Sequence, residues 1–148
     1  MTSTDIRDRF PLVTHMLLFR DGGELLLLRR ANSGYLDGYY VMPGGHVQSG
    51  ETICAAAVRE CAEETGLLIS PDQVRPLAVL PYLNPAAQGV DFVMGADGWT
   101  GEPCINEPER FDDLLWARPD ALPAKSAPYL PKLLAMISQG DWFHEFLE

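Results

Sequence analysis

Between Gly45 and Leu67 the chain reads GHVQSGETICAAAVRECAEETGL, and wound as a helix its later part has two opposed sides. Glu60, Glu63 and Glu64 stand at relative positions zero, three and four, which puts three carboxylates on one face. Ile53, Ala57 and Cys61 recur every fourth residue with Ala56 beside them, a narrow stripe of small apolar residues on the other. Such a helix can approach a sheet closely. The Ala and Glu content from Thr52 to Thr65 predicts a helix there, closed by Gly66. Like charges at this spacing repel by roughly 0.2–0.5 kcal/mol per pair, a cost that a cation removes. Hard divalent ions prefer carboxylate oxygen, and Mg²⁺ is commonly held by a few carboxylates together with water and substrate phosphate.

Around this helix the pattern is mostly strand. Leu12 to Arg20 reads as a strand, and Glu24 to Arg30, after the turn Asp21-Gly22-Gly23, as its hairpin partner. Ala31 to Gly38 is a polar loop, Tyr39 to Met42 a short apolar piece, and Pro43-Gly44-Gly45 should break any regular element. Val74 to Leu83 and Val90 to Met94 read as strands on either side of a loop from Asn84 to Gly89. Leu114 to Ala117 reads as a further strand, and Pro128 to Ser138 as a closing helix ended by Gly140. Strands interrupted by one central and one terminal helix predict a mixed α/β sandwich.

A chain of 148 residues fits one domain, read here as residues 1–148. Its formal net charge of −10 argues against a nucleic acid duplex as partner. Small polyphosphates remain suitable if metal ions bridge the two sets of negative charge. No apolar run approaches the ~20 residues of a membrane span, so no membrane partner is expected. Met1 to Arg9 lacks the apolar middle of a secretory signal, which predicts a cytoplasmic protein. Cys54 and Cys61 would lie roughly 10 Å apart along the helix, beyond disulfide reach, so reduced thiols are expected.

The whole segment resembles the Nudix box: Gly, five residues, Glu, seven residues, Arg-Glu, an aliphatic residue, any residue, Glu-Glu, any residue, Gly, and an aliphatic residue. Gly45, Glu51, Arg59, Glu60, Glu63, Glu64, Gly66 and Leu67 all comply. At ordinary residue frequencies the fixed positions would coincide in a chain of this length with a probability on the order of one in a million, so chance is set aside. Cys61 departs by replacing the usual aliphatic residue; as a small buried hydrophobe it should loosen packing slightly and spare the site. Pro43-Gly44-Gly45-His46 resembles the loop that leads into the box. Gly101-Glu102-Pro103, Asn106-Glu107-Pro108 and Trp116 resemble the later part of MutT-type members, so the resemblance runs from Leu12 to Leu134.

The resemblance implies a Nudix-type α/β/α sandwich with a mixed central sheet and a loop-helix-loop catalytic motif. It implies Mg²⁺, or Mn²⁺, held by Glu60, Glu63 and Glu64 with the carbonyl of Gly44. Arg59 and Glu51 would orient these groups, and water would attack phosphorus to expel phosphate or a nucleotide. Glu60 is the first choice for general base and Glu107 the second. Arg29 is expected to meet substrate phosphate, although Arg30 ends the same strand. Asn106 could read a base edge or simply make a turn, and Trp116, Tyr39 or Tyr40 could stack on a base, with core packing the plainer use of Trp116. His46 could touch a phosphate or simply hold its own loop.

The leading functional expectation is a MutT-like pyrophosphohydrolase that cleaves a nucleoside triphosphate to the monophosphate and pyrophosphate. Cleavage of a nucleoside diphosphate sugar of the ADP-ribose type is the enzymatic alternative, with Pro81 and Pro85 near the proline that marks that group. A non-catalytic nucleotide-sensing Nudix domain is the third reading; such domains commonly lose a box acid, and none is lost here. A homodimer is compatible with the resemblance, though no segment marks an interface.

Overall fold

A computed structural model describes residues 7–147. Most of the polar N-terminal segment considered above therefore lies outside the described residues, as does Glu148. Strands β1 (Leu12–Leu17), β2 (Leu25–Arg30), β3 (Tyr40–Val41) and β4 (Gly44–His46) precede helix α1 (Ile53–Thr65). A 3-10 turn over Pro71–Gln73 then leads into β5 (Val74–Leu83), β6 (Gln88–Ala96) and β7 (Phe111–Ala117), followed by α2 (Leu130–Ser138) and β8 (Phe146–Leu147). They form a mixed five-stranded sheet, β4-β1-β6-β5-β8, and an antiparallel three-stranded sheet, β3-β2-β7. In the larger sheet β1 runs parallel to β6 and β5 parallel to β8; the other neighbours are antiparallel.

The two helices cover opposite sides of this core, as a sandwich requires. Leu17, Leu25, Leu27, Leu80 and Val93 pack with Leu130, Leu133 and Met136 of α2. Met16, Leu18, Leu26 and Met94 pack instead with Ala57 and Cys61 of α1. Leu25 to Leu28 are all fully buried, because alternate leucines of β2 enter clusters on different faces of its sheet. The small-residue stripe thus meets the sheets as expected, and burial pushes the Cys61 thiol up to about 11. Cys54, Cys61 and Cys104 are free. Thr52 Oγ1 accepts from Ala55 N at 3.0 Å, a cap worth about 1 kcal/mol, and Gly66 ends the helix at φ 77° with its N–H on Ala62 O at 2.9 Å.

Two local expectations are corrected. The hairpin of β1 and β2 exists only at its turn, through Arg20 N to Glu24 O (2.9 Å), Leu26 N to Leu18 O (3.1 Å) and a bridge between Phe19 and Leu25. Both edges of β1 are taken by β4 and β6, so β2 departs into the other sheet. The glycines after Pro43 do not break regular structure either; Gly44–His46 is a strand against β1. A Cβ on Gly44 would stand 2.3 Å from Thr14 O, so only glycine lets these backbones approach so closely. The short β8 and the 3-10 turn had no counterpart in the sequence pattern, and β6 is longer than expected at both ends.

Candidate active site

The carboxylates of α1 occupy three different environments. Glu64 is 1% exposed, and its Oε1 accepts the N–H of Gly44 at 3.0 Å. The Glu60 side chain is 12% exposed and accepts from Arg59 Nη1 at 2.9 Å. That of Glu63 is 48% exposed and meets the same nitrogen at 3.3 Å. The single acidic face expected from the spacing is thus graded from core to solvent. Among the described residues no three ligating groups close into a ready cage, because Glu60 and Glu63 lean on Arg59 while Glu64 turns to Gly44.

Arg59 ties the loop before the helix to the helix itself. Its Nε and Nη2 donate to Glu51 at 2.6 and 2.9 Å, and Nη2 also donates to His46 O at 3.1 Å. The guanidinium pKa is raised, chiefly by Glu51, and Glu51 in turn is lowered to about 2, first by Arg59 and then by the N–H of Gln48. His46 takes part through its carbonyl. Gly45 completes the arrangement: a Cβ there would fall 2.4 Å from Glu60 Cδ, so the missing side chain makes room for that carboxylate.

Glu107 is brought to the same end of α1 by a loop fastened to the helix's last carbonyls. Cys104 N donates to Thr65 O at 2.9 Å, while Asn106 N and Nδ2 donate to Glu64 O and Glu63 O, both at 3.0 Å. These are carbonyls that a helix C-terminus leaves without intrahelical partners. Asn106 thus uses its amide nitrogen to fasten the loop to the helix end, in keeping with the turn-making use rather than the base-reading one. Oε1 of Glu107 is buried without a hydrogen-bond partner, and Arg110 Nη1 approaches it only to 3.9 Å. Burial, with the nearby charges of Glu109, Glu63 and Glu60, raises its pKa against the pull of Arg110.

Burial pushes the Glu64 carboxyl up to about 8, with the charges of Glu60 and Glu107 adding to the effect and the Gly44 N–H opposing it. An orphaned carboxylate oxygen, a buried second carboxylate and a glycine cradle for a third make a hard-oxygen donor set that fits a divalent cation. A consequence for the metal-free protein follows from linkage. The folded carboxyl titrates above its ordinary 4.5, so its stability contribution is full below that pH and is lost as pH rises through about 8. Thermal melts in EDTA should therefore fall progressively over that range. Glu64→Gln should flatten the slope, and a slope unchanged in that variant would contradict the assignment.

A cleft of about 670 Å³ starts at this cluster and crosses the five-stranded sheet. Gly44, Gly45, His46 and Glu64 border one end; Val13 and His15 of β1, Asp91 of β6, Tyr82 of β5 and Phe146 of β8 follow in sheet order. Arg30, Val41, Phe111 and Tyr129 form part of the facing wall. Arg30 and Arg110 are thus the arginines that line the cleft. Arg29, on the alternate face of β2, is bound to Asp112 at 2.6 Å and does not line it, which corrects the expected choice of Arg29 over Arg30.

Trp116 also lies outside the cleft lining; it stacks with Trp99 at 6.0 Å, under the guanidinium of Arg20 at 4.8 Å, and packs into the cluster of α1. Tyr40 is buried and donates its hydroxyl to Asp113. His15, Asp91 and Tyr82 were missed from the sequence. For His15 and Asp91 the signal was polar residues inside mostly apolar strand runs, Thr14-His15 within Leu12 to Leu18 and Asp91 within Val90 to Met94; Tyr82 had no such mark.

Known proteins share this arrangement. Residues 9–137 match the NUDIX domain family. The chain is 29% identical over 119 residues to an 8-oxo-dGTP diphosphatase of Escherichia coli, covering 79% of this chain and 91% of that protein. It is 31% identical over 99 residues to an ADP-ribose pyrophosphatase of Methanocaldococcus jannaschii, covering 64% and 58% respectively. The crystal structure of a MutT NUDIX hydrolase from Burkholderia pseudomallei superposes with a TM-score of 0.78 at 28% identity, over 86% of this chain and 98% of that one. With box residues Gly45 and Glu64 at one end of the cleft and the family match spanning most of the sequence, the chain belongs to the Nudix family, as a hydrolase acting on pyrophosphate bonds.

Proposed function

We propose that the substrate is a nucleoside triphosphate, hydrolysed to the monophosphate and pyrophosphate with Mg²⁺ as the preferred ion. The observation that carries this reading is the cleft's course: it leaves Gly44–His46 and Glu64 and continues across four further strands, enough to seat a nucleoside beyond the phosphates. The extent of the likeness favours the triphosphate over the diphosphate sugar, since 91% of the diphosphatase is covered against 58% of the ADP-ribose enzyme.

Glu60, Glu63, Glu64 and the carbonyl of Gly44 are the groups proposed to hold the ion. When bound, a divalent cation lowers the pKa of water and offsets charge on the phosphate oxygens. Arg59 sets the distance between the loop and the helix carboxylates, and Glu51 holds Arg59 in place. The water oxygen bonds to phosphorus, the bridging P–O bond breaks toward the pyrophosphate side, and a carboxylate receives the water's proton. Surroundings favour Glu107 over Glu60 for that proton: Glu107 Oε1 has no hydrogen-bond partner and a raised pKa, whereas Glu60 Oε1 already accepts from Arg59. Arg30, within the cleft, is placed to meet the substrate.

The test is a Mg²⁺-dependent screen over nucleoside triphosphates, oxidised nucleotides, ADP-ribose, dinucleoside polyphosphates and coenzyme A, with phosphate and pyrophosphate read separately. Pyrophosphate release from a triphosphate is the expected outcome, abolished by EDTA. Cleavage of ADP-ribose with no triphosphate turned over would replace this reading by the diphosphate sugar one.

A further inference from the structure

Asp91 stands in the middle strand of the five-stranded sheet, its side chain 21% exposed within the cleft. Among the described residues its carboxylate has no hydrogen bond; Nε2 of His15 stands 3.7 Å away, beyond hydrogen-bonding distance. Both nitrogens of His15 are themselves buried without partners, so this part of the cleft floor holds polar atoms that the protein leaves unsatisfied. Buried polar groups ordinarily have partners, and the imidazole lacks them; the Asp91 carboxylate beside it is partly open to the cleft and is suited to accept hydrogen bonds from a ligand there. Burial first, and then the charge of Asp91, raise the phenol pKa values of Tyr82 and Tyr129, which places that charge near aromatic walls of the same cleft.

Position decides which part of a nucleotide would arrive there. Val13 pairs with His46 on one side and with Asp91 on the other, so Asp91 lies two strands from the Gly44–His46 end, roughly 10 Å away. That is a span a ribose can bridge, which sets the base over Asp91 when phosphates lie at Gly44–His46. Chemistry then decides which base. An ionised carboxylate only accepts, and its two oxygens match two adjacent N–H donors. Guanine presents such a pair in N1–H and the 2-amino group. Adenine and cytosine offer an amine beside a ring acceptor, and uracil and thymine a single N–H between carbonyls. Arg30, 5.5 Å over the Tyr35 ring and part of the same cleft, disfavours a cationic head group in this place.

We infer that Asp91 is a specificity-determining residue that accepts the N1–H and 2-amino protons of guanine. The inference rests on the phosphate placement proposed above. It applies equally to guanine oxidised elsewhere on the ring, since the edge facing Asp91 is unchanged.

The experiment is calorimetric titration of the Mg²⁺-loaded protein with GMP, IMP, XMP, AMP and CMP. GMP should bind at least about tenfold more tightly than IMP, which lacks the 2-amino donor, given about 1.5–3 kcal/mol for a hydrogen bond to a charged group. Asp91→Asn should weaken GMP by at least about tenfold and strengthen XMP, whose 2-carbonyl accepts from the new amide, while AMP and CMP change little. Equal affinity of the unaltered protein for GMP and IMP, including no measurable binding of either, overturns the inference. So does an equal loss for all five nucleotides in Asp91→Asn. If that variant fails to fold, the comparison of GMP, IMP and XMP on the unaltered protein decides alone. A nucleoside monophosphate is a product whether a triphosphate or a diphosphate sugar is cut, so failure of the triphosphate reading in the substrate screen is seen separately from failure here.

Discussion

Glu64→Gln should lower turnover at least about a hundredfold on the best substrate while leaving the metal-free fold intact. The amide keeps an oxygen where Glu64 Oε1 now accepts the Gly44 N–H at 3.0 Å, so the strand-to-helix contact survives. It also resembles the protonated acid that burial favours up to about pH 8, so the variant should melt no lower than the parent in EDTA at that pH. What it loses is an anionic oxygen in the donor set proposed for the cation. Steady-state rates with saturating Mg²⁺, paired with melts in EDTA, separate the two effects. A near-normal rate would remove Glu64 from the proposed site, and a collapsed melt would mark it as chiefly structural.

The second large effect is a contrast between neighbouring glycines. In Gly44→Ala the new methyl would stand 2.3 Å from Thr14 O and 3.0 Å from His15 Cα, backbone atoms that cannot turn aside. β4 must then move off β1, at a cost of about 3 kcal/mol, or a melting point lower by roughly 10 °C for a chain of this size, with activity lost as the Gly44 N–H leaves Glu64. In Gly45→Ala the methyl meets only the end of the Glu60 side chain, with Oε1 at 2.5 Å and Oε2 at 2.7 Å. That carboxylate can swing away, so stability should change by less than about 1 kcal/mol while kcat falls at least about tenfold. Similar melts for the two variants would show that β4 has more room than the backbone distances allow.

These contrasts follow the line between what was legible in the sequence and what was not. Helix α1, its C-cap at Gly66 and its small-residue face could be read because each is local, set by residues within a few positions of one another; Thr52, read as the first helical residue, is the N-cap. Strand β5 came out with its observed limits for the same reason. Partner choice was not local. Nothing in Leu12 to Arg20 says that both edges of β1 will be filled by strands from elsewhere, so the hairpin was overextended. Arg29 and Arg30 looked equivalent until the sheet fixed which side of β2 faces the cleft. Asn106 looked like a free polar side chain until its partners, the carbonyls of Glu63 and Glu64, were brought to it from more than forty residues away. His15 and Asp91 become a candidate subsite only when β1 and β6 lie side by side.

The parallel pairing of β1 with β6 joins Leu12–Leu17 to Val90–Gly95 in register. During synthesis the first of these segments leaves the ribosome long before the second exists. A nascent chain that stops just past Leu67 already has every residue of the box but lacks the strand that becomes the middle of the larger sheet. Long-range pairing of this kind is slow to form and leaves strand edges uncovered while the chain waits. The early part of the protein, apolar at Leu25 to Leu28, is thus the part most in need of protection from aggregation during translation.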